Sequence, residues 1–380
     1  MPKILHIASD EKFIDAANYL YEKAYPNSNT FIIVLPKFEN YKIKYVSKKE
    51  NYIFYHNNEK TLNNVLELID KYDLIVLHGY DFFKARIVNK RQNAVYNYIL
   101  WGAELYNRHP LFKNTLYGKK TSASFQKKIL FKDVFRPFFH LLKYKIFNVY
   151  NFQFKTLSKI KYFSILHKED YNLFIEKGII IKNTKYLKFT YYPIEFIFEE
   201  NKDLKVNDNN ILLGNSASST NNHIEAIDLL KNINLQHRKI ITPLSYGNMK
   251  YASKIIKYGE EKLSNNFHYL KDFMPLQEYN KTIQSCGIVI MNHYRQQAVG
   301  NILASMWMGA KVFLDNRNTF YHYLKRIGCY VYLIDDLIND NLENLNNTQI
   351  EHNRNILIKE IGTKTIVNTL KNDIQKIAEL

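Results

Sequence analysis

The sequence is short of the residues that mark several common chemistries. Only two of its 380 residues are cysteine, Cys286 and Cys329. They form neither a CxxC pair nor a zinc-ligand spacing, so a reduced compartment and no disulfide framework are expected. The twelve glycines nowhere form GxGxxG or GxxxxGK[ST]. Dinucleotide redox and P-loop chemistry therefore lack the small residues that let a backbone approach phosphates. HExxH is absent, and no Asp-x-Asp supplies a paired-carboxylate metal clamp. Gly214-Asn215-Ser216-Ala217-Ser218 is not a GxSxG nucleophile elbow, because its fifth residue is Ser. No apolar run reaches the roughly 20 residues that span a bilayer. The apolar stretch at Ile4–Ala8 is too short for the core of a secretory signal. A cytoplasmic protein that can touch a membrane is expected.

Acid is also in deficit: 36 Asp and Glu against 53 Lys and Arg leave a net charge of +17. That sign favours polyanions, whether nucleic acid, anionic lipid or phosphorylated substrates, and does not choose among them. With 46% hydrophobic and 23% charged residues, a packed core is within reach and global disorder is excluded. The length suggests two domains.

Short apolar runs alternate with helical patterns along most of the chain. The C-terminal half is the clearer. Strands are expected at 210–215, 239–243, 267–270, 287–291, 311–314 and 330–334. Helices are expected at 222–233, 250–263, 276–284, 300–308 and 319–327. The N-terminal half repeats the alternation less regularly, with strands at 3–8, 30–35, 51–55, 73–79 and 161–166. This pattern predicts an α/β fold with two doubly wound parallel sheets. The polar stretch 201–210 reads as the linker and puts the boundary near 205. The segment 107–161 stands apart, with thirteen Lys or Arg and one acid, Asp133, among interleaved aromatics. It is either a basic amphipathic stretch for an anionic membrane or a pair of solvated helices whose apolar face joins the core.

In a parallel sheet, ligands bind at the carboxyl ends of strands. Two loops there are conspicuous. Gly214–His223 is small, polar and opens a helix, so it suits a phosphate or is an ordinary N-cap. Asn292–Asn301 offers Arg295, the amides Gln296 and Gln297, and Gly300 at a helix start, which suits a diphosphate. In the N-terminal half, Asp10 after the first strand, Glu104 and the histidine His78 are candidate proton acceptors; an isolated carboxylate is more commonly a helix cap or surface acid, and His78 reads as readily as a structural hydrogen bonder. His223 has the same two readings.

These residues resemble a known family. Leu213-Gly214-Asn215-Ser216 with Asn221, His223 and Ile224, and Arg295–Gly300, resemble the loops of bacterial 4-acetamido-4,6-dideoxygalactose (Fuc4NAc) transferases of enterobacterial common antigen synthesis. Trp101-Gly102-Ala103-Glu104-Leu105-Tyr106, Ser9-Asp10 and His78-Gly79 are similar as well. The sequence departs at Ala298, where the family tends to have Gly, and at Glu104, where it has Asp. The resemblance implies a GT-B architecture of two Rossmann-like domains, 1–205 and 206–380, facing a cleft. It implies a metal-independent transfer from a dTDP-sugar to a polyprenyl-diphosphate-linked saccharide at the cytoplasmic face of the bacterial inner membrane. Gly214, Asn215, Ser216, His223, Arg295, Gln296, Gln297, Gly300 and Asn301 would hold the nucleotide sugar. Asp10, His78 and Glu104 would face the acceptor, and 107–161 would dock on anionic lipid. Other readings are a GT-B transferase using a fucosyl or amino-sugar nucleotide in capsule or lipopolysaccharide assembly, and, more distantly, a nucleic-acid-binding protein. On the family reading nucleic acid is not a partner.

Overall fold

The computed structural model describes the chain apart from residues 39, 113, 125–130, 199–202, 273 and 380 and the side chains of 131–137, 198 and 276. The chain divides into two compact units, one of 1–111, 128–193 and 361–380 and the other of 112–127 and 194–360.

The first unit opens with β1 (Ile4–Ser9), α1 (Ile14–Ala24), β2 (Asn29–Leu35), β3 (Tyr52–His56), α2 (Glu59–Ile69), β4 (Leu74–His78), α3 (Phe82–Lys90), β5 (Tyr96–Ile99) and α4 (Ala103–Tyr106). After α5 (Lys119–Ala123), which belongs to the second unit, come α6 (Phe131–Tyr144), α7 (Val149–Thr156), β6 (Tyr162–Ile165), α8 (Lys168–Glu176) and β7 (Lys185–Lys188). All seven strands are parallel, in the order β3-β2-β1-β4-β5-β6-β7. The near-continuous apolar runs of β1 and β4 are buried, as strands covered on both faces require. The second unit continues with α9 (Ile194–Phe198), β8 (Ile211–Leu213), α10 (His223–Leu230), β9 (Ile240–Pro243), α11 (Met249–Leu263), β10 (Phe267–Leu270), α12 (Leu276–Gln284) and β11 (Ile288–Met291). It ends with α13 (Val299–Met308), β12 (Lys311–Leu314), α14 (Thr319–Arg326), β13 (Tyr332–Leu333) and α15 (Asn347–Ile361). Its six parallel strands run β10-β9-β8-β11-β12-β13. In each sheet the winding reverses once, between β1 and β4 and between β8 and β11. Such reversal points are where open α/β sheets form their ligand crevices.

The single cut expected near 205 does not describe this division, and residues 201–202 of the expected linker lie outside the described residues. The last helix, α16 (Thr363–Ala378), returns to the first unit. Ile366, Leu370, Ile374 and Ile377 are buried in the core that contains α1 and β2, and the Tyr25 hydroxyl donates to the Lys371 carbonyl at 2.8 Å. The segment 112–127 goes to the second unit because its backbone is held there. Gly118 N donates to Asn222 Oδ1 at 2.9 Å and Thr121 N to Glu225 Oε1 at 2.8 Å. The basic segment 107–161 is thus shared between both units rather than forming one element. Its residues 113 and 125–130 and the side chains of 131–137, Lys132, Asp133 and Arg136 included, lie outside the described residues. Among the described residues, no helix is long and apolar enough to cross a membrane.

Candidate functional site

The two conspicuous loops meet at the β8–β11 reversal point. Gly214 ends β8 with φ +69°, and its N–H donates to the Ile290 carbonyl at 2.9 Å. A Cβ there would sit 2.6 Å from His223 Nε2 and 2.7 Å from Asn221 Oδ1, so both backbone and packing require glycine. Fully buried Asn221 organises the loop. Its oxygen accepts from Asn215 N at 3.0 Å and from His293 Nε2 at 2.9 Å. Its amide donates to the Ser216 carbonyl at 3.2 Å and the Ser218 carbonyl at 3.1 Å. Asn222, at φ 49°, ties the second loop on: its amide donates to the Asn292 carbonyl at 3.0 Å, and Asn292 Nδ2 returns a bond to the Asn222 carbonyl at 3.1 Å. Thr220 Oγ1 donates to Gln297 Oε1 at 2.7 Å. A third loop, after β9, joins them, with Asn215 Nδ2 donating to the Tyr246 hydroxyl at 2.9 Å.

Arg295 is buried in this assembly, its Nη1 donating to the Gln296 carbonyl at 2.8 Å. Ala298 then turns the chain into α13 at φ 56°, with no side-chain cap on the helix start. The unsatisfied N–H groups of that first turn carry partial positive charge. Gly300 does not make the turn; it lies inside α13, exposed, and a Cβ on it would meet nothing within 4 Å. Ala298 occupies the left-handed position that glycine fills without strain. Asn301 Nδ2 reaches the Tyr279 hydroxyl of α12 at 3.5 Å. Asn215 Oδ1 and Gln296 Oε1 are buried acceptors with no hydrogen-bond donor among the described residues. His223 is core: Nδ1 lies 3.0 Å from the Tyr251 hydroxyl, and burial pushes its pKa down to about 3. His293 is held well below the usual imidazole range by burial, then by the Arg295 and His223 charges. The loops therefore present amides, hydroxyls, one guanidinium and a helix N-terminus, with neutral histidines beneath.

The three candidate proton acceptors of the N-terminal half do not share one environment. Asp10 sits at the carboxyl end of β1, as expected, but its oxygens are filled. Oδ2 accepts from the Tyr41 hydroxyl at 2.9 Å and Lys44 N at 2.7 Å, and Oδ1 from Tyr45 N and Val46 N, both at 3.0 Å. Burial pushes its pKa up, and these four bonds together bring it below the ordinary value. Asp10 is the clamp of the 41–46 loop and a poor base. His78 is fully buried in a chain whose proton directions are set from the Asn29 end, where the side-chain oxygen can only accept. Trp101 Nε1 donates to the Tyr191 hydroxyl at 2.9 Å, and that hydroxyl lies 3.0 Å from His78 Nδ1, to which it donates once Nε2 carries the ring proton. His78 Nε2 then donates to His6 Nδ1 at 3.0 Å, and His6 Nε2 to Asn29 Oδ1 at 3.2 Å. The Asn29 amide closes the chain on Glu22 Oε1 at 2.9 Å. Both ring nitrogens of His78 are occupied, and burial, His6 and Lys84 hold its pKa well below the usual range. Its base role gives way to a structural one.

Glu104 caps the turn before α4: Oε1 accepts from the Tyr98 hydroxyl and Trp101 N, both at 2.8 Å. Oε2 is buried without a donor among the described residues, and burial raises the carboxyl pKa. The sequence patterns pass over a neighbour, Glu11. It lines a cavity of about 270 Å³ with Ser9, Asp10, Leu35, Tyr41, Asn57 and Asp81, at the β1–β4 reversal point. Burial and the Asp10 charge raise its pKa, against Lys12 and Lys84. Lys84, 2% exposed, donates to Asp81 Oδ2 at 2.8 Å within the first turn of α3, whose N-cap Asp81 lines the cavity. The only signal for Glu11 is its position one residue beyond the strand-end Asp10. Among the described residues, no three His, Cys, Asp or Glu side chains gather as a metal cage.

Solved structures share this fold across nearly their whole length. The N-terminal domain of trehalose-6-phosphate phosphatase from Candida albicans matches with a TM-score of 0.63 at 10% identity, covering 100% of this chain and 97% of that one. A glycosyltransferase from Rickettsia africae ESF-5 matches with 0.61 at 12% identity, covering 99% and 98%. HepE of Anabaena, solved in complex with UDP and glucose, matches with 0.60 at 14% identity, covering 99% and 100%. The fold is that of a GT-B glycosyltransferase. Residues 25–358 match the 4-alpha-L-fucosyltransferase family, glycosyl transferase group 56, and the chain belongs to that family. The matched span holds both C-terminal loops, His78 and Glu104, and begins after Asp10 and Glu11.

Proposed function

We propose that this transferase moves 4-acetamido-4,6-dideoxygalactose from its dTDP-linked form to a polyprenyl-diphosphate-linked saccharide in the assembly of a bacterial surface glycan such as enterobacterial common antigen. It works peripherally at the cytoplasmic face of the inner membrane, without a metal and with no nucleic-acid partner. One observation carries the donor half: buried Arg295 stands beside the uncapped start of α13 at the β8–β11 reversal point. A guanidinium and a helix N-terminus together stabilise the charge that grows on a departing diphosphate, the work a metal does elsewhere. Within 214–216, the Gly214 and Asn215 N–H groups are already bonded to the Ile290 carbonyl and Asn221 Oδ1, which leaves the Ser216 N–H as the backbone donor there. The acceptors Asn215 Oδ1 and Gln296 Oε1 suit N–H or O–H groups of the nucleotide sugar. His223, Gln297, Gly300 and Asn301 act through the loop and helix geometry. In the reaction the acceptor hydroxyl gives its proton to Glu11, its oxygen bonds to the sugar C1, and the C1–O bond to the diphosphate breaks. Glu11 borders an open cavity, which favours it over the filled Asp10 and His78 and the enclosed Glu104.

A turnover panel tests this reading: dTDP-4-acetamido-4,6-dideoxygalactose, GDP-fucose, UDP-glucose and UDP-N-acetylglucosamine, each with a polyprenyl-diphosphate-linked saccharide. Turnover with the dTDP donor is expected. Turnover only with a GDP or UDP donor replaces the donor assignment, as capsule or lipopolysaccharide transferases would behave. Salt-sensitive binding to RNA or DNA with none to anionic liposomes contradicts the membrane assignment.

A further inference from the structure

A second cavity of the first unit, about 330 Å³, adjoins the one beside Glu11 and shares Asn57 and Asp81 with it. Its wall is aromatic and charged, with three cations facing the carboxylates of Glu59 and Asp81. Lys37, Arg86 and Arg108 line it with Tyr144 and Tyr150. Arg86 is committed to Glu59 through two bonds of 2.8 and 2.5 Å, and Asp81 to Lys84. Neither Lys37 nor Arg108 forms an ion pair among the described residues, although, behind the Arg86 bonds, the Lys37 charge helps lower the pKa of Glu59. Instead Lys37 Nζ donates to the Tyr144 hydroxyl at 3.2 Å, and the Arg108 guanidinium lies 5.5 Å from the Tyr150 ring centre. Aromatic contacts hold a cation in position without neutralising it.

The helix that closes this cavity has two faces. His140 and Tyr144, one turn apart on α6, line the cavity. Phe138, Phe139 and Leu142 are 55%, 62% and 86% exposed, and Phe147 beyond the helix end is 54% exposed. A cationic cavity and an exposed apolar face therefore share one helix. A molecule that fits both carries an anionic group joined to a hydrocarbon chain. A free sugar phosphate would use the cavity and leave the apolar face idle.

We propose that the cavity lined by Lys37 and Arg108 holds the diphosphate of the lipid-linked acceptor, with the exposed apolar face of α6 against its polyprenyl chain and the surrounding lipid. This rests on the lipid-linked acceptor proposed above. The cavity then positions the acceptor saccharide toward Glu11, since the two cavities adjoin. Lys37 and Arg108 are positioning residues and take no part in bond making.

Binding rather than turnover tests it, so failure of the donor assignment leaves the result readable. The full chain is titrated with farnesyl diphosphate and with inorganic pyrophosphate by calorimetry, and with phosphatidylglycerol vesicles by sedimentation. Lys37→Ala/Arg108→Ala is expected to weaken farnesyl diphosphate binding by about tenfold or more, a contribution of ~1.4 kcal/mol. A Lys250→Ala/Lys257→Ala control, which removes equal charge from α11, should leave it within about twofold. Far-ultraviolet circular dichroism of the double variant checks its fold, and Lys37→Arg restores binding if position of charge is what matters. Leu142→Ser should weaken farnesyl diphosphate while sparing pyrophosphate. Equal loss in variant and control, or loss confined to vesicles, overturns the proposal. So does unchanged farnesyl diphosphate affinity.

Discussion

The two reversal points of this chain solve the same geometric problem with different chemistry. At β8–β11, amide side chains knit three loops together, a guanidinium and a helix start supply positive charge, and both histidines are neutral and buried. Neither histidine there takes up a proton near neutral pH. At β1–β4, carboxylates and a buried lysine dominate, and Glu11 is raised while Asp10 is lowered. Groups that hold a diphosphate work best with fixed charge, whereas groups that take a proton must titrate. On the proposed function, pH dependence of the reaction belongs to the first unit and donor affinity to the second.

The sharpest break of that division is Glu11→Gln. Turnover should fall roughly 10²–10⁴-fold with donor affinity unchanged, measured by steady-state kinetics beside calorimetry. Next comes Arg295→Ala, expected to weaken donor binding by about 2–5 kcal/mol, since it takes a charge partner from a diphosphate. Unchanged affinity would remove Arg295 from the site.

Two variants separate structure from chemistry. Asn221→Ala leaves buried loop groups unpaired and should destabilise the fold by about 2–3 kcal/mol in urea unfolding. Asp10→Asn should lose about 1–3 kcal/mol, because an amide N–H faces donors where an oxygen accepted them. The sign of its pH dependence is defined. The folded pKa of Asp10 is depressed, so its stabilisation is present above the ordinary value of 3.8 and is lost as pH falls toward the folded value. His6 adds a second window. It is about 3 in the folded chain against 6.5 ordinarily, so stability declines as pH falls from 6.5 toward 3. The smallest effect is Ala298→Gly, which should stabilise by about 1 kcal/mol by relieving a left-handed alanine. A destabilising result would mean the Ala298 methyl packs favourably enough to outweigh its backbone.

Much of the second unit is legible in the sequence. Its strands are apolar runs bounded by turns, and 267–270, 276–284 and 311–314 coincide with β10, α12 and β12. The first unit is harder to read. β5 is Tyr-Asn-Tyr-Ile, and its buried Asn97 is satisfied by the Ser164 hydroxyl of β6 at 2.7 Å, a partner far along the chain. β7, Lys-Tyr-Leu-Lys, is an edge strand whose terminal lysines hide its period. α16 lies beyond 334, where the apolar-run pattern gives no element, and its buried face packs on the first unit, far back along the chain.

The site divides in the same way. Gly214, Asn215, Ser216 and Arg295 are visible because polar loops between buried strands are conspicuous. Asp10 is visible as a residue and misleading as a base, because the donors that fill it come from 41–46, some thirty residues away. His78 misleads for the same reason: its partners sit on β1 and beyond β7. Asn221 and Asn222 read as cap residues, and only the second loop shows that they join two strands' ends.

The most direct measurement is a paired pH series from about pH 5 to about pH 9, donor Kd by calorimetry and kcat/KM by turnover, on the native enzyme and Glu11→Gln. The expected result is a donor Kd without a titration from the protein, and a kcat/KM that rises with one carboxylate ionisation above the ordinary glutamate value and loses that step in Glu11→Gln. A donor Kd that follows the same ionisation, or a step that survives in Glu11→Gln, would contradict the division between a fixed-charge donor site and a titrating acceptor site.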